Sequence, residues 1–518
     1  MISPKLFLSA LCLSMSGLIV GCSTENLVLS ESNSVPTHKQ VNFEHKQRFD
    51  IKSLLLVGIK PYLGRETTDL KPAKGLFLKT VGKPLILKDA KGVVHKSEEI
   101  NIAWRKVKLS IPQTFSRQVA GPFASFESAQ RLSEKLRDKG LPAVVAHPQD
   151  WEVWIPRGAK LPDEIDVVAW DKTINSEIKP YLKGLSGEIL LSGPIKIEAP
   201  DGLHLDGGIF SGPFWLQPDA YGSWTLVEQV PLQRYLNGVV PYEIGSSAPP
   251  EALAAQAVLA RTWALANRHR FAIDGYHLCS DTQCQVYKDP SQANQLVKDA
   301  INKTAGKYLS WKKKPIHAVY HASNGGVMAS GTEAWSMTPV PYLRAQLDGS
   351  KQWTDLFALP LNTNEAVSDL LRYVDGAYGT THSRFRWKRT IDAGELKNAL
   401  DVFKYANKFP SQVKVLERGD SGRVLALEIL SKDNQFRRVL RLDEIRRVLR
   451  DLPSSLFVVI ELKEGLWQFS GGGFGHGAGL SQAGAIDLAL RGWNASKILR
   501  HYYPGTTYGT LQDLPKAP

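Results

Sequence analysis

The sequence predicts an α+β fold in several units, and three observations support this prediction. The chain has 518 residues, whereas a domain usually contains about 100 to 200. Short apolar runs separated by turn residues predict strands in residues 49–110 and 187–235. Apolar residues at helical spacing predict helices in residues 250–270 and 292–305. Strands and helices therefore occupy separate segments, which is typical of α+β proteins.

The N-terminus predicts export. Residues 6–20 form an apolar stretch of signal-peptide length, which is too short to span a bilayer. The tetrapeptide Ile19-Val20-Gly21-Cys22 resembles a bacterial lipobox, and residues 1–22 are then a lipoprotein signal peptide and lipobox. This resemblance implies lipidation of Cys22 and a membrane-anchored lipoprotein in the periplasm or cell envelope; an ordinary secretory signal is the alternative. Residues 23–48 lack apolar periodicity and predict a flexible tether.

The composition favours some classes of partner and excludes others. Hydrophobic residues at 43% and charged residues at 22% exclude a largely disordered chain. The net charge of +13 favours a polyanionic partner such as an acidic wall polymer or anionic lipid. Because the basic residues are spread along the chain, we expect no nucleic-acid partner. The densest basic stretch, residues 437–450, predicts an amphipathic surface.

Residues 111–160 predict a small module of strand, helix and strand. The predicted strand at 116–123 is followed by a helix at 128–139 and a strand at 143–145. The motif Gln118-Val119-Ala120-Gly121-Pro122-Phe123, with apolar residues at helical spacing after it, resembles the SPOR domain. This resemblance implies a module that binds bacterial wall glycan stripped of peptides, and a generic βαβ fragment is the alternative.

A single acidic residue stands out before the Ala-rich helix that starts at Pro250. Glu243 lies between the apolar run 238–241 and a Gly-Ser-Ser loop, where partial burial would raise its pKa and keep its proton near neutral pH. Cleavage of a glycosidic bond needs such an acid. Alternatively, Glu243 caps a turn or pairs with Arg261. Glu251 is expected to stabilise the positive end of the helix dipole.

Several motifs together resemble the SpoIID/LytB family. They are residues 230–265, Asn324-Gly325-Gly326, Pro341-Tyr342-Leu343-Arg344, residues 473–485 and His501-Tyr502-Tyr503-Pro504-Gly505-Thr506. The resemblance implies either a lytic transglycosylase of peptide-free peptidoglycan or a noncatalytic enhancer of a wall amidase. A pure anchor module is a third alternative. Ile244-Gly245 replaces the Met-Pro that follows the family's catalytic Glu.

The resemblance also implies a mechanism and a site. Glu243 would serve as both acid and base and form a 1,6-anhydro product without a second carboxylate. Two Gly-rich polar segments, residues 321–326 and 473–484, could line a sugar cleft; a phosphate cradle is the rival interpretation of the second, but it lacks a Gly-Lys-Ser/Thr ending. His476 could instead fix a turn among glycines. The candidate substrate-binding residues are Gln256, Arg261, His321, Ser323, Asn324, His476 and Gln482.

Two cysteines remain after the predicted signal and anchor. His277, Cys279 and Cys284 could supply three ligands of a structural Zn²⁺, with His317, His321 or water as the fourth. Some family members carry zinc in the corresponding loop, but Gln283 stands here where an additional His often occurs. In an oxidising compartment, the two cysteines could instead form a disulfide. No cofactor is required by the proposed chemistry.

The family resemblance completes the expected organisation of the chain. The predicted units are a strand-rich region at 49–110, a SPOR-like module at 111–160, a SpoIID-type core at 165–348, an inserted subdomain at 349–461 and the second part of the core at 462–512.

Overall fold

The computed structural model describes residues 54–65, 74–184, 187–402, 408–433 and 435–514. The predicted signal peptide, Cys22 and the tether lie outside these residues. Among the described helices, none is long and apolar enough to cross a membrane.

Strands predominate up to Pro231, and buried side chains alternate with exposed or half-buried ones, as in the strands Leu76–Thr80 and Ile195–Glu198. The elements of this part are β1 (Leu54–Leu63), β2 (Leu76–Thr80), β3 (Leu85–Lys88), β4 (Val94–Ser97), β5 (Glu99–Phe123), α1 (Phe126–Asp138), β6 (Val144–Ala146), β7 (Trp151–Pro156), β8 (Val168–Gly184), β9 (Gly187–Leu190), β10 (Ile195–Glu198), β11 (Leu203–Leu205), β12 (Gly208–Phe210), β13 (Phe214–Pro218) and β14 (Trp224–Pro231).

Helices and short strands follow. They are α2 (Leu232–Val240), a π-helix (Pro241–Gly245), α3 (Pro250–Ala266), β15 (Leu278–Cys279), α4 (Gln295–Lys303), β16 (Lys307–Trp311), β17 (Lys314–Pro315), β18 (Tyr320–His321), β19 (Val327–Met328), α5 (Gly331–Ala334) and β20 (Gln346–Leu347). The helices predicted at 250–270 and 292–305 are thus confirmed as α3 and α4, with slightly shorter bounds.

The predicted insertion mixes helices and strands, and a short helical segment closes the chain. The elements are α6 (Lys351–Leu356), α7 (Asn364–Arg372), β21 (Arg386–Asp392), α8 (Ala393–Asp401), β22 (Pro410–Arg418), β23 (Val424–Ser431), β24 (Arg437–Arg441), α9 (Asp443–Val448), β25 (Phe457–Lys463), β26 (Leu466–Gly472), β27 (Leu480–Ser481), α10 (Gln482–Leu490), α11 (Ala495–Tyr502) and β28 (Thr507–Thr510). The separate strand-rich and helical segments confirm the α+β class.

Two sheets join distant parts of the chain. One has the strand order β15-β1-β14-β13-β10-β3-β4, and the other has the order β12-β11-β2-β5-β7-β6, with β8 paired to both β5 and β9. The segments at 49–110 and 187–231 therefore share both sheets. The predicted boundary between residues 110 and 111 falls inside β5, which runs without interruption from one sheet region into the SPOR-like module.

Helix α3 is buried along most of its length. Its many alanines lose no side-chain entropy in the helix and allow close approach of neighbouring elements. The helix packs against α2, α4, β16, α10 and α11. Glu251 in its first turn forms an ion pair with Lys303 and accepts a 2.8 Å hydrogen bond from Ala495 N, so this carboxylate joins three helices.

The SPOR-like module is attached to the core through a buried ion pair. Its predicted strand, helix and strand are confirmed as the end of β5, α1 and β6. Arg270 of the core pairs with Glu127 of α1, and its guanidinium lies 4.2 Å from the ring centroid of Phe126. The SPOR resemblance itself stays a prediction.

The inserted segment also reaches the core. The fully buried Arg423 donates 3.0 Å hydrogen bonds to the carbonyls of Asn324 and Val327. The Arg-rich stretch 437–450 forms β24 and α9, with Leu440 and Ile445 fully buried beneath its arginines. Its predicted amphipathic pattern is therefore confirmed.

Candidate functional site

Glu243 lies in the π-helix between α2 and α3. This short π-helix continues α2 and ends at Gly245, whose φ of 89° favours glycine. Gly238 allows α2 to pack directly on the chain that follows the cysteines, because a Cβ there would lie 2.5 Å from Lys288 O. The close contact brings Glu243 against Val286.

The Glu243 carboxylate is half-buried and hydrogen-bonded on two sides. Val286 N donates a 2.8 Å hydrogen bond to Oε1, and the Tyr320 hydroxyl donates a second bond to the carboxylate. Burial raises the pKa of Glu243, and these two donors partly oppose the increase. The predicted pairing with Arg261 is absent from the structure. A carboxyl that retains its proton at higher pH than usual fits a general acid.

A relay of polar side chains orients the Tyr320 hydroxyl. Tyr235 donates a 3.2 Å hydrogen bond to Gln285 Oε1, and Gln285 Nε2 donates a 2.9 Å bond to the Tyr320 hydroxyl. Since that oxygen accepts from Gln285, its own proton is directed to Glu243. No spacing along the chain identifies these three residues, because they come from three separate segments.

The two Gly-rich segments meet beside Glu243. Strand β18 pairs in parallel with β27, and Ser323 forms an antiparallel bridge with Phe474. Gly473 has a φ of 84°, and a Cβ there would lie 2.6 Å from Ser323 O. Glycine is therefore needed for backbone conformation and for close approach of the segments. The segments that contain His321, Ser323, Asn324 and His476 thus lie side by side, while the sugar cleft that they were predicted to line stays a prediction.

His321 and His476 are neutral and fixed by backbone groups. His476 Nε2 donates to Tyr320 O at 2.9 Å, and its Nδ1 accepts from Ala478 N at 3.2 Å. Burial, aided by the nearby Arg446 and Arg423, lowers the pKa of His476 to about 3. Burial also lowers the pKa of His321, whose Nδ1 donates to Ala478 O at 3.1 Å. These contacts favour the loop-fixing interpretation of His476.

Asn324 binds a buried carboxylate rather than facing a cleft. Its Nδ2 donates a 2.6 Å hydrogen bond to Asp348, which is fully buried. Asp348 also accepts from His501 Nε2 at 2.7 Å and from the Tyr502 hydroxyl at 3.1 Å. This network, which the sequence did not predict, connects the first Gly-rich segment to α11. Ser323 is also buried.

The remaining candidate binding residues lie apart from Glu243 in packing positions. Arg261 is buried in α3 and donates to Lys307 O at 3.0 Å, and burial lowers its pKa to about 10. Gln256 is fully buried, and neither amide atom has a hydrogen-bond partner in the described part of the chain. Gln482 begins α10, with Nε2 similarly buried. The structure therefore gives Arg261 a packing role instead of the predicted sugar contact.

Cys279 and Cys284 form a disulfide with a Cα–Cα distance of 5.7 Å. This is one of the two alternatives that the sequence left open. His277 Nδ1 accepts a 3.1 Å hydrogen bond from Leu56 N, and burial lowers the pKa of His277 to about 4. No group of three potential ligands suited to a metal ion occurs among the described residues. The predicted zinc ligands are thus engaged in other bonds here.

Comparisons with known proteins show two segments of the chain that resemble known domains. Residues 220–311 match the profile of the SpoIID family, Stage II sporulation protein. Residues 329–479 match a domain of unknown function, DUF8618, which includes the predicted insertion at 349–461. Together with the relatives below, these matches support the SpoIID/LytB assignment that the motifs predicted.

Three relatives show how far the similarity extends. The "Amidase enhancer" of Bacillus subtilis (strain 168) is 29% identical over 296 residues, covering 52% of this chain but only 40% of that protein. "Stage II sporulation protein D" of Bacillus amyloliquefaciens is 29% identical over 302 residues, 54% of this chain and 74% of that protein. An uncharacterized protein of Brachyspira hyodysenteriae is 28% identical over 327 residues, 60% of this chain and 75% of that protein. The chain thus spans less than half of the amidase enhancer.

Proposed function

We propose that this protein is a lytic transglycosylase that cleaves peptide-stripped peptidoglycan strands with Glu243 as its acid and base. The observation that carries the proposal is the half-buried Glu243 carboxyl, whose pKa is raised and whose orientation is set by Val286 and Tyr320. The similarity to the SpoIID family and to the amidase enhancer supports a peptidoglycan-related role, and therefore a glycan substrate for this carboxyl. Its position after α2 matches the family motif despite the Ile244-Gly245 substitution.

The proposed reaction uses one carboxyl twice. Protonated Glu243 donates its proton to the oxygen that leaves C1 of the muramic sugar, as the bond between C1 and that oxygen breaks. The resulting carboxylate then accepts the proton of the C6 hydroxyl of the same sugar, whose oxygen bonds to C1. The products are a 1,6-anhydro end and a new 4-hydroxyl end, with no water consumed. Glu243 returns to its protonated state.

Mass spectrometry of the products tests this proposal. Purified protein would be incubated with peptide-stripped glycan, and we expect 1,6-anhydro ends that vanish in Glu243→Gln. Glu251→Gln is a matched control in the same segment, since Glu251 is used in helix packing. The Glu251→Gln protein should still form 1,6-anhydro ends. Absence of anhydro ends with the correctly folded wild type would contradict the proposal.

A second candidate function is stimulation of a cell-wall amidase without catalysis. The printed name of the Bacillus subtilis relative favours it. In this case the glycan would be bound but not cleaved, and a wall N-acetylmuramoyl-L-alanine amidase would act faster in the presence of the protein. Amidase rates measured with wild type and Glu243→Gln separate the two functions, because an enhancer does not need the acid.

We also propose that the protein is exported and held at a membrane by a lipid on Cys22, with the SPOR-like module binding wall glycan. The apolar N-terminal segment, its Cys-containing tetrapeptide and the net charge of +13 support this placement. Metabolic labelling with a radioactive fatty acid tests it. Labelled wild type and unlabelled Cys22→Ala are expected, and label on the variant would contradict lipidation at this residue.

A further inference from the structure

The inserted segment forms hydrogen bonds with the backbone of both Gly-rich segments. Arg386 Nη1 donates a 2.8 Å bond to Gly325 O in the first segment. Trp387 Nε1 donates a 3.0 Å bond to Gly473 O in the second. Because backbone rich in glycine has little conformational preference of its own, such bonds from the insertion select one conformation of the two segments.

Arg423 of the insertion contacts both segments at once. Its side chain is fully buried and donates 3.0 Å hydrogen bonds to the carbonyls of Asn324 and of the adjoining Val327. Its guanidinium also packs against Gly477, where a Cβ would overlap it. One side chain from the insertion therefore fixes the distance between the first Gly-rich segment and the second.

No ion pair explains the burial of Arg423. Among the described residues, its remaining hydrogen-bond partner is the Ser421 hydroxyl at 3.1 Å, and its Nε has none. Glu333, the carboxylate that acts on it, accepts a 2.8 Å bond from Ser421 N instead. A buried cation held only by neutral groups is destabilising. Such a cost is typical of a position that serves function.

The second Gly-rich segment connects Arg423 to the Tyr320 hydroxyl. His476, next to Gly477, donates a 2.9 Å bond from Nε2 to Tyr320 O, and the strand β18 that contains Tyr320 pairs with β27 at the end of the same loop. The Tyr320 hydroxyl bonds to the Glu243 carboxylate. A shift of Gly477 away from Arg423 would therefore change the hydrogen bond on Glu243.

We infer that the inserted segment is a scaffold for the two Gly-rich segments, and that Arg423 is the residue through which it positions the Tyr320 hydroxyl on Glu243. Arg386, Trp387 and Arg423 all lie in the part of the chain that matches the domain of unknown function, which thereby acquires a role. The inference deepens the proposed function, because Glu243 is the acid of the proposed reaction. Arg423 is a positioning residue, since it acts on that acid only through other groups.

Titration of Glu243 tests the inference without cleavage. Carbon-13 NMR of full-length protein labelled at the glutamate carboxyl carbons gives the pKa of Glu243, whose signal is the one that Glu243→Gln removes. Arg423→Lys keeps a cation but loses the planar fork that bonds two carbonyls at once. The pKa of Glu243 should then rise, as in Tyr320→Phe, because the hydrogen bond that opposes the increase is weakened. In the Tyr320→Phe background, Arg423→Lys should cause no further rise.

Kinetics with peptide-stripped glycan give a second measure. In Arg423→Lys, kcat should fall by up to about tenfold, as for the loss of one hydrogen bond to a charged group. KM should stay within about twofold, because the buried Arg423 does not contact the substrate.

Two further variants complete the experiment. Trp387→Phe removes the bond to Gly473 O but keeps an aromatic ring, so it should raise the pKa of Glu243 even if Arg423→Lys does not fold. Arg437→Lys is the matched control. Arg437 is exposed on β24 of the same insertion and its side chain bonds to Glu428, away from both Gly-rich segments, so the pKa and kcat should stay unchanged.

The outcomes separate positioning from a merely structural role. A loss of stability in Arg423→Lys with an unchanged pKa of Glu243 would overturn the inference, and so would equal shifts of that pKa with and without the Tyr320 hydroxyl. If the pKa rises as expected but wild type forms no anhydro ends, the scaffold stands and the proposed catalysis falls.

Discussion

The Glu243 carboxyl is subject to opposing influences on its pKa. Burial favours the protonated carboxyl, while Val286 N and the Tyr320 hydroxyl favour the carboxylate. Neither influence alone would suit the proposed role, in which this group both gives and accepts a proton. At the scale of a single residue, the balance predicts measurable effects on stability and on pH dependence.

Glu243→Gln should stabilise the protein at neutral pH. The pKa of Glu243 is raised in the folded state, so its stabilising contribution is complete below its ordinary pKa and is lost as pH rises through the folded-state pKa. The free energy of unfolding of the variant should therefore exceed that of wild type by on the order of 1 kcal/mol at pH 7, and the two should be equal near pH 3. Denaturant unfolding at both pH values measures this difference. An equal gain of unfolding free energy at both pH values would show that the ionisation of Glu243 is not its cause.

Tyr320→Phe should alter catalysis through Glu243. Loss of the hydroxyl removes a hydrogen bond that lowers the pKa of Glu243, so that pKa should rise and the alkaline limb of kcat/KM should move to higher pH. The rate at the optimum should fall roughly tenfold, in line with one hydrogen bond to a charged group. Tyr181→Phe, remote on β8, is the control. A lower rate with an unmoved pH profile would exclude this role for Tyr320.

The site residues were predicted unevenly. Glu243, His321 and His476 could be located because they lie in family motifs or among glycines. The sequence could not locate Tyr320, Gln285 or Asp348 in the site, since their importance depends on hydrogen bonds across separate segments. Arg261 was misplaced for a related reason: a basic residue on a helix gives no sign of whether its partners are sugars or backbone carbonyls.

At the scale of elements, the loop closed by Cys279 and Cys284 connects the SPOR-like module to the segment that contains Glu243. Trp151 donates a 2.9 Å bond to Gln283 Oε1 within this loop, and Val286 just after the loop holds Glu243. A change in this loop should therefore alter the position of Val286 and of the Glu243 carboxyl that it binds.

Replacing both cysteines by alanine should lower the free energy of unfolding by roughly 2 kcal/mol, because the loop is short. The rate of anhydro-end formation should also fall, since Gln285 and Val286 would lose their fixed position. Unfolding curves and product assays would be compared with wild type under reducing and non-reducing conditions. Unchanged stability in the double variant without reductant would contradict a structural disulfide.

Metal analysis of the same protein distinguishes the two interpretations of the cysteines. Protein purified without reductant should contain no stoichiometric zinc, because both sulfurs are bonded to each other. Stoichiometric zinc that disappears in the double-alanine variant would instead support the ligand set predicted from the sequence.

Regular elements were easier to predict than their pairing. Alanine content and a proline at its start placed α3 nearly to its observed bounds. Strand patterns identified the N-terminal region, but alternation cannot reveal which strands are neighbours. The pairing of β1 with β14 joins residues far apart in the chain, and only tertiary packing determines such a register.

At the scale of the whole molecule, the buried pair of Arg270 and Glu127 should decide whether module and core unfold together. Arg270→Ala leaves the Glu127 carboxylate largely buried without its partner and should cost roughly 3 kcal/mol. Tryptophan fluorescence during denaturation should show a separate early transition. Arg157→Ala, which removes an exposed pair with Asp171, should change stability by less than about 0.5 kcal/mol. Similar losses of unfolding free energy in both variants would contradict this role of the buried ion pair.

Strand β5 sets a rule for how this molecule can change length. It pairs with β2 near one end and with β7 near the other, and between these pairings its register against β8 shifts, because the residues from Lys108 to Gln113 face only those from Ser176 to Ile174. Within a regular stretch of β5, inserting one residue would turn every later side chain of that stretch to the opposite face, whereas inserting two would restore the faces and add about 7 Å. Homologous chains should therefore differ by even numbers of residues within the regular stretches, and odd differences should fall between Lys108 and Gln113, where the register already shifts.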